Sequence, residues 1–149
     1  MAEYILRNCE ATELETQRRQ AELVLRLQQV LDGSPEEDRH QDLLPIVDEL
    51  FLLLPVRFEL DDSDGYLHEV TDEFPSWDGQ VQTLFMEQAI LYERLREIRN
   101  ELRRPDSSAK VRTAMMHWLK VWTECLLLHE AEERRLQQIA ANFEPGGQD

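Results

Sequence analysis

Glycine and proline punctuate this chain at a few places only, and the stretches between them are long. The chain of 149 residues has 5 Gly and 6 Pro. Breaks fall at Asp32-Gly33-Ser34-Pro35, more softly at Asp61-Asp62-Ser63-Asp64-Gly65, and then at Phe74-Pro75-Ser76 and Arg104-Pro105-Asp106-Ser107-Ser108. They cut the chain into four segments, each long enough for several helical turns. No convincing period-2 alternation of strands and no short repeat is present. At this length one domain is the prior, and 42% hydrophobic residues suffice to fill its core.

Each segment carries apolar residues at helical spacing. The first, about 9–32, has Leu14, Ala21, Val24, Leu25, Leu27, Val30 and Leu31. The second, about 36–70, opens on Glu36, Glu37 and Asp38, which suit a helix N-terminus, and carries Leu43, Val47, Leu50 and Leu54. Pro45 and Pro55 point to a bend or break within it. The third, about 76–104, has Ser76 as a candidate N-cap and Gly79 in its first turn; it carries Leu84, Leu91, Leu95, Ile98 and Leu102. The fourth, about 107–143, starts at Ser107 or Ser108 and carries Val111, Met115, Trp118, Trp122, Cys125, Leu136 and Ile139. Residues 144–149 read as a frayed tail. The expectation is an all-α chain, a single antiparallel up-down four-helix bundle over 1–149.

Read at the alternating 4,3 spacing of bundle cores, three seams contain polar residues. The third helix reads Leu84, Gln88, Leu91, Leu95, Ile98, Leu102. The fourth reads Val111, Met115, Trp118, Trp122, Cys125, His129, Glu132 or Glu133, Leu136. The second reads Leu43, Val47, Leu50, Leu54, Arg57, Asp61. Buried groups of this kind must pair or bind something, and His129-x-x-x-Glu133 puts both side chains on one face, as metal sites in bundles require. The same spacings also fit ordinary i,i+4 surface pairs. Trp118, Trp122 and Cys125 read as core filling, and His40 and His117 as surface or edge residues. His68-x-x-x-Asp72 is a second formal metal pair.

These residues resemble a known family. Arg57-Phe58-Glu59-Leu60-Asp61-Asp62-Ser63-Asp64-Gly65-Tyr66-Leu67 is similar to the His-Phe-x-x-Glu-Glu … Gly-Tyr segment of bacterial hemerythrin-like (HHE cation-binding) proteins. Leu84-Phe85-Met86-Glu87-Gln88-Ala89-Ile90-Leu91 is similar to their Leu-x-x-Glu-His-x-x-Leu segment. His129-Glu130-Ala131-Glu132-Glu133-Arg134-Arg135-Leu136 resembles their C-terminal His-Glu-x-x-Glu segment. The resemblance implies a four-helix bundle around a non-haem di-iron centre, in proteins that bind oxygen, sense oxygen or redox state, or store metal. His129 matches an iron ligand and Glu133 its carboxylate partner. Asp61 or Asp62 matches the carboxylate of the second helix. Arg57 and Gln88 stand where His is expected, and Tyr92 where a further ligand would follow. A di-iron centre of this kind needs several imidazoles, whereas the chain has 4 His in all. Arg57 is a permanent cation and Gln a poor iron ligand.

The expected site is therefore a remnant inter-helix pocket of Arg57, Asp61, Gln88, Tyr92, His129 and Glu133, with no metal or cofactor. Its Arg57 guanidinium would replace the lost metal charge and pair with Asp61 and Glu133, while Gln88 and His129 supply hydrogen bonds. The expected function is a binding, regulatory or signalling module. The alternative is a sensor of oxygen, nitric oxide or redox state holding non-haem iron on His129, Glu133, Asp61 and, less readily, His68.

Composition bounds the partners. With 31 Asp+Glu against 16 Lys+Arg the chain carries a net charge of −15, which disfavours nucleic acid and anionic membranes and suits a basic partner protein. The longest strictly apolar run, Leu50 to Leu54, is far too short to span a bilayer. Two Cys, Cys9 and Cys125, make neither a disulfide framework nor a metal knuckle. With no basic stretch leading into an apolar run near Met1, the expected setting is cytoplasmic. No nucleophile triad, phosphate loop or zinc motif is present, so no enzyme is expected.

Overall fold

The computed structural model describes residues 2–33, 40–63 and 75–142, and among them every regular element is helical. The helices are α1 (Ala2–Leu31), α2 (His40–Ser63), α3 (Asp78–Arg103) and α4 (Ala109–Asn142), with a short 3-10 turn, Pro75–Trp77, leading into α3. The first helix starts seven residues before the position expected from its apolar stripe. Residues 36–39, 64–70 and 144–149, on which parts of the sequence reading fall, lie outside the described residues.

Local chemistry sets the ends. The amide of Asp32 donates to the Gln28 carbonyl at 2.9 Å and that of Gly33 to Val30 at 3.3 Å, closing α1. The Ser108 hydroxyl accepts the Val111 amide at 3.2 Å and so caps α4. Ser76 does not cap α3: it sits in the 3-10 turn, and Trp77 holds the cap position without a capping hydrogen bond from its side chain. Nor do the prolines break α2, which runs through Pro45 and Pro55. Each removes one backbone hydrogen bond, yet Leu43, Val47, Leu50 and Leu54 stay fully buried on one stripe, and that packing offsets the loss.

The main core takes residues from all four helices, among them Leu27, Leu50, Leu95 and Leu126. A second, smaller cluster joins Val81 and Leu84 of α3 to Leu136 of α4, with Trp77 and Phe85 against it. Contacts between α3 and α4 run in opposite order along the two helices. Arg135 donates to Gln80, Glu87 meets His129, and the Trp122 indole donates to the Leu91 carbonyl at 2.9 Å. Between α2 and α3, Asp48 accepts from Arg99 at 2.6 Å and pairs with Arg103 at 3.1 Å, and Arg99 lies 4.4 Å over the Phe51 ring. Arg19 of α1 bonds to Glu49 of α2.

The α3 seam falls where the spacing places it, with Leu84, Gln88, Leu91, Leu95, Ile98 and Leu102 all buried, and so does the apolar part of the α2 seam, Leu43, Val47, Leu50 and Leu54, which Arg57 continues half-buried. The seam of α4 is displaced on one side. Trp122, His129, Glu133 and Leu136 are buried at positions the spacing offers, but Leu119 and Leu126 accompany them, whereas Trp118 is 54% exposed and Cys125 is exposed. Residues three and four positions before Trp122 flank it on opposite sides, and the other helices cover the side of Leu119. In α1, Leu14, Ala21 and Leu25 face solvent, and Gln20 and Leu23 are buried instead.

This phase predicts a sharp contrast on α4. Leu126→Ala, at a fully buried position, should cost about 2–5 kcal/mol in urea unfolding. Leu128→Ala, at a position 71% exposed, should stay within about 0.5 kcal/mol.

Candidate functional site

The two apolar clusters are separated by polar residues. On α3, Gln88 lies between Leu84 of the smaller cluster and Leu91 of the larger. On α4, His129 and Glu133 lie between Leu126 and Leu136 in the same way. Gln20 enters from α1 one turn before Leu23 and Val24. All four polar residues are buried. The surface-pair reading of His129 and Glu133 is thereby overturned, because both lie on a stripe whose apolar members are hidden.

His129 is held from three sides. Its Nδ1 is 2.9 Å from the Glu87 carboxylate, which reaches in from the half-exposed rim of α3. Its Nε2 is 3.6 Å from the Glu133 carboxylate, too far for a hydrogen bond, and has no hydrogen-bond partner among the described residues. The Phe58 ring of α2 stands edge-on, 6.2 Å away between centroids. A neutral imidazole carries one N–H, so it satisfies one of its two flanking carboxylates. Glu133 also accepts from Gln137 at 3.4 Å, and Gln20 donates to Glu130. Further out on α4, Glu132 bonds to Arg135, which holds its carboxyl below the usual carboxylate range.

Carboxylates on opposite ring nitrogens do not converge on one point. An ion on Nδ1 would meet Glu87, and one on Nε2 would meet Glu133, but no single ion takes His129 with both. Among the described residues no three His, Cys, Asp or Glu side chains are grouped to hold a metal. With Gln88 where the resemblance implies a His ligand, the described residues do not fit a di-iron centre.

Of the expected pocket residues, Gln88, His129 and Glu133 fall in one layer. Arg57 is half-buried and lines a groove of about 470 Å³ together with Gln20, Glu130, Glu133, Arg134 and Gln137. Tyr92 is stacked on Phe51, with ring centroids 4.9 Å apart, in the contact between α2 and α3. Asp61 falls within α2, but its side chain and that of Asp62 lie outside the described residues, as do His68 and Asp72 and the side chains of His40 and Cys9. His117 is exposed, as expected. The sequence reading missed Glu87, Gln20 and Glu130. Glu87 was visible beside Gln88 in the matching segment. Gln20 gave no signal, because it lies one turn before the buried Val24 on a stripe where the sequence offers the exposed Ala21 beside it.

The layer makes opposite predictions for its members. The Gln88 amide nitrogen is buried without a hydrogen-bond partner, so Gln88→Leu should raise stability by about 1 kcal/mol. His129→Ala leaves Glu133 buried beside a void and should lower stability by about 3 kcal/mol. Arg57→Leu should also lower the urea midpoint. Unchanged or raised stability with intact packing would remove any role for a cation here.

Comparison of the chain with protein-family models, with curated proteins and with solved structures finds no match.

Proposed function

We propose that this chain is a hemerythrin-like, antiparallel up-down four-helix domain that has lost its di-iron centre and works as a binding, regulatory or signalling module, without enzymatic activity. The observation that carries this reading is the polar layer. Gln88, His129 and Glu133 interrupt the core between two apolar clusters, at positions that match family ligand segments. The chemistry of the layer has changed: an amide stands for one imidazole, and Arg57 lines the groove that Glu133 shares. A fixed guanidinium repels a metal cation and supplies the charge that carboxylates otherwise take from it. The opposite order of contacts along α3 and α4 supports the antiparallel topology. The net charge of −15 favours a basic protein as partner, and no helix among the described residues is long and apolar enough to cross a membrane.

One observation favours a second reading. The buried Nε2 of His129 has no hydrogen-bond partner and faces Glu133, as a two-ligand edge for non-haem iron would require in a sensor of oxygen, nitric oxide or redox state. Metal content decides between the two. Protein expressed in iron-replete medium should carry iron well below one per chain and show no iron absorption bands. Stoichiometric iron that disappears in His129→Ala would overturn the metal-free reading.

A further inference from the structure

The outer face of the α3–α4 pair is unlike the rest of the surface. A groove of about 690 Å³ runs between the two helices, with Leu91, Ile98 and Trp122 at its floor and Ile90, Trp118 and Val121 along its walls. A second hollow of about 320 Å³ continues it past Cys125 and Leu128 to Glu87 and His129. Both hollows share Ile90, Leu91 and Cys125, so they form one trough. Ile90 and Trp118 are each 54% exposed, on opposite walls, and Leu128 is 71% exposed. Single exposed hydrophobes are ordinary, but a row of them along one groove marks an interaction surface. From Glu87 to Glu101 the trough follows about 21 Å of α3, at about 1.5 Å per residue, which is the length of about four helical turns.

Shape and charge together select the occupant. A groove between two packed helices accepts a third helix that presents an apolar stripe. Its edge carries Glu97 and Glu101 on α3 and Glu132 on α4, against a single lining arginine, Arg94. Arg94 already meets Glu97 at 3.3 Å, Arg104 meets Glu101 at 3.3 Å, and Arg135 pairs with Glu132. Such exposed i,i+3 pairs hold weakly and exchange readily for an incoming cation. A second copy of this chain would bring its own −15 against the same charge.

We propose that the α3–α4 trough docks a basic amphipathic helix of a partner protein, with Trp118 and Ile90 gripping its apolar stripe and Glu97 and Glu101 meeting its lysines or arginines. The proposal rests on the binding-module reading and names the partner's chemistry.

The test is fluorescence anisotropy of a labelled peptide of roughly 15 residues, with Leu at helical i, i+3, i+4, i+7 spacing and Lys elsewhere, titrated with the full chain. Binding should weaken about tenfold when the same residues are scrambled to abolish the stripe, and more when Lys is replaced by Glu. Trp118→Glu and Ile90→Glu, both at exposed wall positions, should each weaken it about tenfold. Leu52→Glu, at an exposed position on α2, should leave it unchanged. Equal binding by Trp118→Glu and Ile90→Glu overturns the proposal. So does a chain dimer in sedimentation velocity that Trp118→Glu dissociates, since the occupant is then a second copy. Acrylamide quenching that finds Trp118 shielded in the free chain also overturns it, because one of the chain's own segments then fills the trough. Iron content is measured on the same samples. An iron-loaded chain that binds through Trp118 refutes the metal-free reading and leaves the trough standing, whereas a metal-free chain indifferent to the peptide does the reverse.

Discussion

Leu126 and Leu136 cannot be buried without burying what lies between them. Both are fully hidden on one stripe of α4, and His129 and Glu133 occupy the intervening positions of that stripe. A straight helix offers no means of turning two residues outward while their neighbours one turn away stay inside. The apolar clusters at either end therefore carry an imidazole and a carboxylate into the interior. Desolvating them is costly, and the surrounding groups answer that cost unevenly. Glu87 reaches His129 Nδ1 from the rim and Gln137 reaches Glu133, while Nε2 of His129 and the amide nitrogen of Gln88 remain without hydrogen-bond partners. An apolar layer of the same volume would serve stability better. The polar layer is thus better explained by ancestry or use than by folding.

The helical character of the chain was legible from its sparse breaks, and the seams of α2 and α3 from the 4,3 spacing of Leu, Val and Ile along each. Leu43, Val47, Leu50 and Leu54 keep that spacing although Leu52 and Val56 stand exposed on the same helix, and Gln88 was recognised as interior because Leu84 and Leu91 fix the phase around it. On α4 the sequence is degenerate. Trp118 and Leu119 are both apolar, Cys125 and Leu126 likewise, and Glu132 and Glu133 are identical, so spacing alone does not choose between the two flanks of Trp122 and His129. The choice depends on where the other helices lie, which is a tertiary fact. The prolines of α2 misled for the opposite reason: their local cost is real, but it is outweighed by a continuous buried stripe that local rules do not weigh.

The candidate site was legible in its seam members and not in its rim. His129, Glu133 and Gln88 were found because a polar residue on an apolar stripe is conspicuous. Glu87 reaches inward from a half-exposed position; the segment Leu84 to Leu91 contains it, but spacing among 31 acids does not show that its carboxylate turns inward. Tyr92 shows the converse. It lies one turn beyond Gln88, yet that turn carries it to Phe51 and into the contact with α2 that Arg99 and Asp48 complete.

Glu87 and His129 belong to two environments at once. Their mutual contact closes one side of the interior layer, and both line the far end of the α3–α4 trough. A helix seated along the trough would cover the outer side of this pair and exclude water from it. Removing water strengthens the electrostatic contact between the imidazole and its two flanking carboxylates. Nε2 is already shut off from water, so the effect falls on the Glu87 side of the ring. Occupation of the trough would therefore act on the interior layer through the Glu87–His129 contact. Such coupling would be reciprocal: a change in the bonding of His129 would change the affinity of the trough by the same free energy. In the module proposed above, that contact is where the buried layer and the docking surface meet.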